Sequence, residues 1–226
     1  MASTLARDIV RTCRKHAQDI SPHIIPGHLA NIYSPGVQVN NIAFENRHHR
    51  KIHIEVAHIG MVKHIHSTFY PRPQFDAPIL TLDLVTVGNT STYALFDPSP
   101  VTENLALPYD YNDAFKDLQD RFGLTPTPRK EFQPWGRDIL SRRCVLLRQH
   151  IDQQVFCAYV LAGIAMHLEY CKTLDPSPDH RRIRENQSRY CRMQLKNDRI
   201  RSTLTSAFGG DLQKTNEYMN TMLFDC

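Results

Sequence analysis

The sequence predicts an α+β fold, a central antiparallel sheet with helices on both faces, and three observations carry that prediction. The region between Val37 and Pro98 reads as successive strands of alternating apolar and polar residues, with short connections that imply antiparallel pairing. From Glu103 onward the apolar residues recur at helical spacing instead. The third observation is Asp83, whose same-face neighbours Ile79, Thr81, Val85 and Val87 are mostly apolar, so that both faces of its strand must be covered.

The elements follow in chain order. Within Met1 to Ile20, Leu5, Ile9 and Val10 fit a short amphipathic helix. In Lys51 to Ala57, Ile52, Ile54 and Val56 point one way and His53 and Glu55 the other, as a period of two requires. Lys63 to Tyr70 repeats the division, with Ile65 and Phe69 against His64, His66 and Thr68, and Ile79 to Val87 sets Leu80, Leu82 and Leu84 against Asp83. Gly60 and Gly88-Asn89 mark the reversals. Helices are predicted over Asn112 to Phe122, Ile151 to Tyr170, Asp179 to Phe208 and Leu212 to Leu223, with one further strand at Cys144 to Arg148. Asp211, after the Gly209-Gly210 break, is placed to cap the last helix. A single domain over residues 1–226 is expected.

Composition excludes several classes. Of 226 residues, 41% are hydrophobic and 22% charged, the balance of an ordinary folded domain. The most apolar run, Val155 to Met166, is broken by Gly163 and soon meets Glu169, so no membrane span is expected. The charged N-terminus lacks the apolar centre of a secretory signal, which points to a cytoplasmic protein. Six cysteines without a C-x-x-C pair read as small buried apolar residues rather than ligands of a zinc or iron–sulfur cluster. A net charge of +4 is too modest for a nucleic-acid binder, but Arg181, Arg182, Arg184, Arg189, Arg192, Lys196, Arg199 and Arg201 concentrate in one segment that suits an acidic partner. No G-x-G-x-x-G, G-x-x-x-x-G-K-[ST] or G-x-S-x-G occurs, so redox chemistry here would need an outside electron donor.

Candidate chemistry sits on the polar strand face. Burial raises a carboxyl pKa and a neighbouring imidazolium lowers it, so Asp83 beside a histidine forms a proton-donating pair; the plain alternative is a structural Asp–His hydrogen bond. His53, Glu55, His64 and His66 could instead offer metal ligands, a weak signal without H-E-x-x-H spacing, and no metal is expected. His48 and His49, between Arg47 and Arg50, read as a solvated basic turn.

The stretch ENRHHRKIHIEVAHIGMVKHIHSTFYPRPQFDAPILTLDLVTV, Glu45 to Val87, resembles the core of the ferredoxin-dependent bilin reductases: the H-x-E, the turn before P-x-P and the D-L-V ending occur in that family's order. PWGRDILSRRCVLLR, YCRMQLKNDRIRSTLTSAFGG and YMNTMLFD extend the likeness along nearly the whole chain. The resemblance implies an α/β/α sandwich that binds biliverdin IXα between the sheet and the C-terminal helices. It also implies a monomer with no bound cofactor, which takes single electrons from reduced ferredoxin in the cytoplasm of a cyanobacterium, or of a host cell if the chain is virus-encoded. By the same resemblance Asp83 is the central catalytic aspartate, His66 its paired histidine, Glu55 the carboxylate tied to reduction of the D-ring vinyl group, and His53 a pocket histidine. Asn197 and Asp198 match the N-D that faces substrate, Asp198 among the catalytic groups; Arg148 and Arg199 would hold propionates, with Thr92 beside them.

Glu55 favours a phycocyanobilin-type product through bilin radicals. Two departures bear on that expectation: the Glu55-to-His66 connection is one residue shorter than the family pattern, and Thr203 stands where a branched apolar residue is expected. Phycoerythrobilin, formed through 15,16-dihydrobiliverdin, is the alternative product. A bilin carrier without turnover is the non-enzymatic alternative.

Overall fold

The computed structural model describes residues 2–148 and 151–225. Eight strands, β1 (Ser21–Pro22), β2 (Asn31–Ser34), β3 (Val37–Glu45), β4 (His49–Ile59), β5 (Val62–Pro71), β6 (Ile79–Val87), β7 (Thr90–Ser99) and β8 (Val145–Arg148), form one sheet. Its order is β1-β3-β4-β5-β6-β7-β8, with β2 paired to β3, and every pairing is antiparallel. The reversals fall where the glycines predicted them: Gly60 and Gly88 adopt φ of +58° and +61°, a region that side chains with a Cβ rarely occupy.

The helices are α1 (Ala2–His16), α2 (Gly27–Ala30), α3 (Tyr109–Phe122), α4 (Pro134–Arg137), α5 (Gln153–Lys172), α6 (His180–Gln194), α7 (Asp198–Ala207) and α8 (Leu212–Tyr218), the last running into a π-helical turn, Met219–Leu223. Helices α1, α3 and α5 cover the face built from Ile52, Ile54, Ile65, Leu80, Leu82 and Leu84. Ile183, Tyr190, Leu204, Tyr218 and Met222, from α6 onward, pack with Val39, Ala57, Ile79 and Leu95 on the other face. The double coverage inferred from Asp83 is therefore present, and the period of two along each strand sends alternate residues into different cores.

The long helix expected over Asp179 to Phe208 is two helices. Asn197 leaves the helical region at ψ 89° and its side-chain oxygen accepts from the Ile200 amide, restarting the helix as α7. Asp211 caps α8 by accepting from the Lys214 amide at 2.8 Å, as predicted. Helix α5 is long and apolar enough to cross a membrane by composition. It packs as a core helix, with Phe156, Tyr159, Val160 and Ile164 buried against the sheet.

Two further expectations fail. His48 and His49 are buried rather than solvated, 3% and 1% exposed, because the Asn46 side chain accepts from both their amides and folds the turn inward. Cys13, Cys144, Cys157 and Cys171 are free thiols as expected, but Cys191 is disulfide-bonded. Cys226 lies outside the described residues.

Candidate functional site

Strand register lines up the candidate groups. Asn41 pairs with Glu55, Glu55 with His66, His66 with Asp83, and Asp83 with Leu95, so these residues form one row across the sheet, all on the face beneath the C-terminal helices. One rung along, Ala57, His64, Val85, Tyr93 and Arg148 form a parallel row. On the other side, His53 pairs with Thr68 and Thr68 with Thr81. Alternation alone thus brings three histidines and two carboxylates onto one patch.

Hydrogen bonds knit the patch together. Asp83 Oδ1 accepts from His64 Nε2 and from His66 Nδ1, each at 2.9 Å. The other nitrogen of His64 lies 3.4 Å from Glu55 Oε1, so one imidazole spans both carboxylates. His66 Nε2 is satisfied by the Thr68 hydroxyl at 2.8 Å. Tyr218, from α8, donates to Glu55 Oε2 at 2.5 Å, and its oxygen is also 2.9 Å from Asn41 Oδ1. Asn41 Oδ1 accepts from His53 Nε2 at 2.8 Å, and His53 Nδ1 is left buried without a partner.

Protonation follows from these contacts. Burial opposes a charge on His64 but is outweighed by its bonds to Asp83 and Glu55 and by their charges, which push it up to about 10; it is an imidazolium at neutral pH. Burial also opposes ionisation of Asp83, yet the charge of His66 and the bonds from His64 and His66 hold its carboxyl well below the usual range. Glu55 is lowered in the same way, burial being overcome mainly by His64. His53, pressed by burial and by the charge of Lys51, stays neutral. In this state the patch holds an imidazolium between two carboxylates. The side chains of Asp83 and His64, 19% and 27% exposed, are its open edge, whereas Glu55 lies beneath at 4%.

The remaining predicted residues lie around this patch. Arg148 sits at the end of β8 opposite Tyr93, and the charges of Arg148, Arg199 and Asp83 all bear on the Tyr93 hydroxyl. Thr92 is exposed at the irregularity of the β6–β7 ladder, its hydroxyl 3.5 Å from the Val85 carbonyl. Asn197 caps α7, while Asp198 and Thr203 are exposed, and among the described residues neither makes a side-chain hydrogen bond or ion pair. His64, which the sequence offers only as a possible metal ligand, and Tyr218 and Asn41, which it does not single out, join the patch. For His64 the signal was present, since it shares the face of His66. Tyr218 meets Glu55 across 163 residues, a contact no local pattern encodes.

Comparison with known proteins agrees with this layout. The family model for ferredoxin-dependent bilin reductases matches residues 6–225. A phycocyanobilin:ferredoxin oxidoreductase of Synechococcus sp. is 32% identical over 201 residues, covering 84% of this chain and 76% of its own. One of Gloeobacter violaceus is 30% identical over 236 aligned residues, covering 100% and 90%. Among solved structures, tomato phytochromobilin synthase in complex with biliverdin superposes with a TM-score of 0.83 at 16% identity, over 100% of this chain and 83% of that one. A structure of PcyX superposes at 0.64 and 13% identity, over 99% and 98%. At these identities the structures speak for the fold.

Proposed function

The chain belongs to the ferredoxin-dependent bilin reductases, and on that premise we propose that it reduces biliverdin IXα to phycocyanobilin, with protons delivered by the Glu55–His64–Asp83–His66 patch. The observation that carries this reading is the shared imidazole of His64, bonded to Asp83 at 2.9 Å and within 3.4 Å of Glu55. Hydrogenating a carbon–carbon double bond consumes two electrons and two protons. A one-electron donor such as ferredoxin supplies the electrons singly, so bilin radicals form between protonations, and the protein has no electron chemistry of its own to perform. What it must do is hold the pigment against proton donors and keep water out.

The patch suits that task. Asp83 and His66, at the open edge and just beneath it, meet the pyrrole system, and an imidazolium held between two anions releases a proton when either anion is drawn to substrate. Tyr218 holds Glu55 at the β3 side, where it would serve a different carbon of the pigment from Asp83. Arg148 and Arg199 would neutralise propionates at the rim, since their forked donors match a carboxylate bidentately. Exposed basic groups of α6, Arg181 foremost at 93% exposure, offer an acidic ferredoxin a complementary surface.

For the product, the β4–β5 ladder bears on the choice. Pairing is regular from Lys51 to Ile59, so Glu55 faces His66 directly across the ladder. That supports the phycocyanobilin reading, in which Glu55 protonates toward the D-ring vinyl group. The test is an anaerobic assay with biliverdin, a ferredoxin-reducing system and chromatographic identification of products. Phycocyanobilin is the expected product; release of phycoerythrobilin or 15,16-dihydrobiliverdin would move the chain to the alternative reaction, and binding without spectral turnover would reduce it to a carrier.

A further inference from the structure

On the opposite face of the sheet, three donor atoms that the reaction does not use converge in the core. Beyond the Asn46 turn, the β4–β5 ladder slips between His49 and Lys51. Lys51, His53 and Glu55 keep to the substrate face, but the slip turns His49 to the other side, where its ring packs against Phe69 and His167. Helix α5 contributes His167 and Cys171, one turn apart on a single face. His49, His167 and Cys171 are 1%, 0% and 1% exposed.

Their spacing is that of ligands around an ion. The two Nε2 atoms are 3.0 Å apart, and Cys171 Sγ lies 3.7 Å from that of His167 and 3.9 Å from that of His49. Metal–nitrogen bonds of about 2.0 Å and metal–sulfur bonds of about 2.3 Å place the donors of a tetrahedral or trigonal site roughly 3.3 to 3.7 Å apart, so small adjustments would close the site. The outer nitrogens are already held: His49 Nδ1 is 3.2 Å from Asn46 Oδ1, and His167 Nδ1 is 3.0 Å from the Tyr111 hydroxyl. With both Nδ1 atoms protonated toward those oxygens, both Nε2 lone pairs face the thiol, the arrangement that second-sphere partners impose on ligating histidines.

We propose that His49, His167 and Cys171 form a structural site for a thiophilic cation, Cu(I) or Zn²⁺, that fastens the start of β4 to α5 behind the sheet. The donor set is soft, with a thiolate and two imidazoles, which excludes magnesium and calcium. Charge balance ranks the two ions. A thiolate with two neutral imidazoles carries one negative charge, which Cu(I) cancels, whereas Zn²⁺ leaves a net positive charge in an apolar core unless a further anion joins. Without the ion, Tyr111, His167, His49 and Asn46 form a hydrogen-bonded chain, and the thiol stays protonated beside it.

The test is elemental analysis of the whole protein, produced with copper or with zinc supplied and purified without oxygen or chelator. About one equivalent of one of these ions is expected, with loss of most of it in Cys171→Ser and in His167→Gln, and a roughly 10- to 100-fold weaker affinity in Tyr111→Phe. A second measurement needs no variant: refolding the wild-type chain with Co²⁺ should give a thiolate-to-cobalt charge-transfer band, which neither surface histidines nor the His64–His66–Asp83 group can produce. The metal-loaded wild type should also melt at a higher temperature than the chelator-treated protein. Metal-free protein under both supplies, cobalt bound without the thiolate band, or metal retained in full by Cys171→Ser would each overturn the site.

Discussion

Tyr218 donates a hydrogen bond to Glu55 at 2.5 Å while its oxygen sits 2.9 Å from Asn41 Oδ1. A phenol has one proton, so it cannot serve both acceptors at once. With Glu55 ionised the proton goes to the carboxylate. With Glu55 protonated, the acid can donate to the phenol oxygen and the phenol to Asn41, so the second contact is made only when Glu55 holds its proton. Tyr218 therefore couples the protonation of Glu55 to a hydrogen-bond shift in α8 and β3. Tyr218→Phe removes a donor to the carboxylate, and its pKa moves up toward the ordinary glutamate value, because this bond is one of the groups that lower it. The expected outcome is an altered ratio of intermediate to final bilin by chromatography, with a stability loss of about 1–2 kcal/mol in urea. An unchanged product ratio would remove Tyr218 from the reaction.

His64 gives the patch a measurable pH signature. Its pKa is raised from 6.5 to about 10 in the folded protein, because Asp83 and Glu55 outweigh burial. A group with a raised folded pKa stabilises fully below its unfolded value and loses that contribution as pH rises through the folded one. Wild-type thermal stability should therefore fall between pH 6.5 and about 10, and the slope should flatten in His64→Gln. The same substitution removes the cation that chiefly holds Glu55 ionised and that bonds Asp83, so the pH dependence of bilin reduction should shift upward on its acidic side. Parallel stability curves for the two proteins would contradict the bridge.

How much of this was legible depended on the range of the signal. Period-two alternation placed His53, Glu55, His66 and Asp83 on one face correctly, because each strand reports its own faces and antiparallel register aligns them. His49 broke the rule because the ladder slips beside it, and a slip is set by a turn and its hydrogen bonds rather than by side-chain period. The helix break at Asn197 was written in the sequence as a capping residue, but the helical spacing on both sides concealed it. Tyr218 was beyond reach, since its partner is fixed only when the last helix docks on the sheet.

Gly163 shows the same contrast in the core. In the sequence it only interrupts an apolar run, whereas in the fold it is the point where α5 meets β7. A Cβ there would lie 2.5 Å from Phe96 Cε1 and 2.9 Å from Cζ. Phe96 is fully buried and held between Phe115 and Tyr159, with ring centroids at 5.8 and 5.3 Å, so it has little room to retreat. Gly163→Ala should therefore destabilise the protein by about 1–3 kcal/mol in urea unfolding, despite the better helix propensity of alanine. Full wild-type stability would show that the contact relaxes.

Asp83 separates binding from chemistry. In Asp83→Asn the amide oxygen can still accept from His64 Nε2 and His66 Nδ1, so the geometry of the row survives. What is lost is the charge, and with it a carboxylate that can take up the His64 proton and pass it on. His64 then keeps only Glu55 as an anionic partner and its pKa drops from about 10 toward the ordinary value, because the bond to Asp83 is the foremost of the contacts that raise it. The proton held on His64 and its relay through Asp83 are thereby weakened at once. Biliverdin should bind with little change in affinity, seen as an unaltered titration of its absorbance, while reduction under saturating ferredoxin falls by roughly 10²- to 10⁴-fold, the range for loss of a positioned general acid. A variant that binds and reduces at the wild-type rate would show that the protons enter elsewhere, and one that no longer binds would make Asp83 an anchor for the pigment rather than a proton relay.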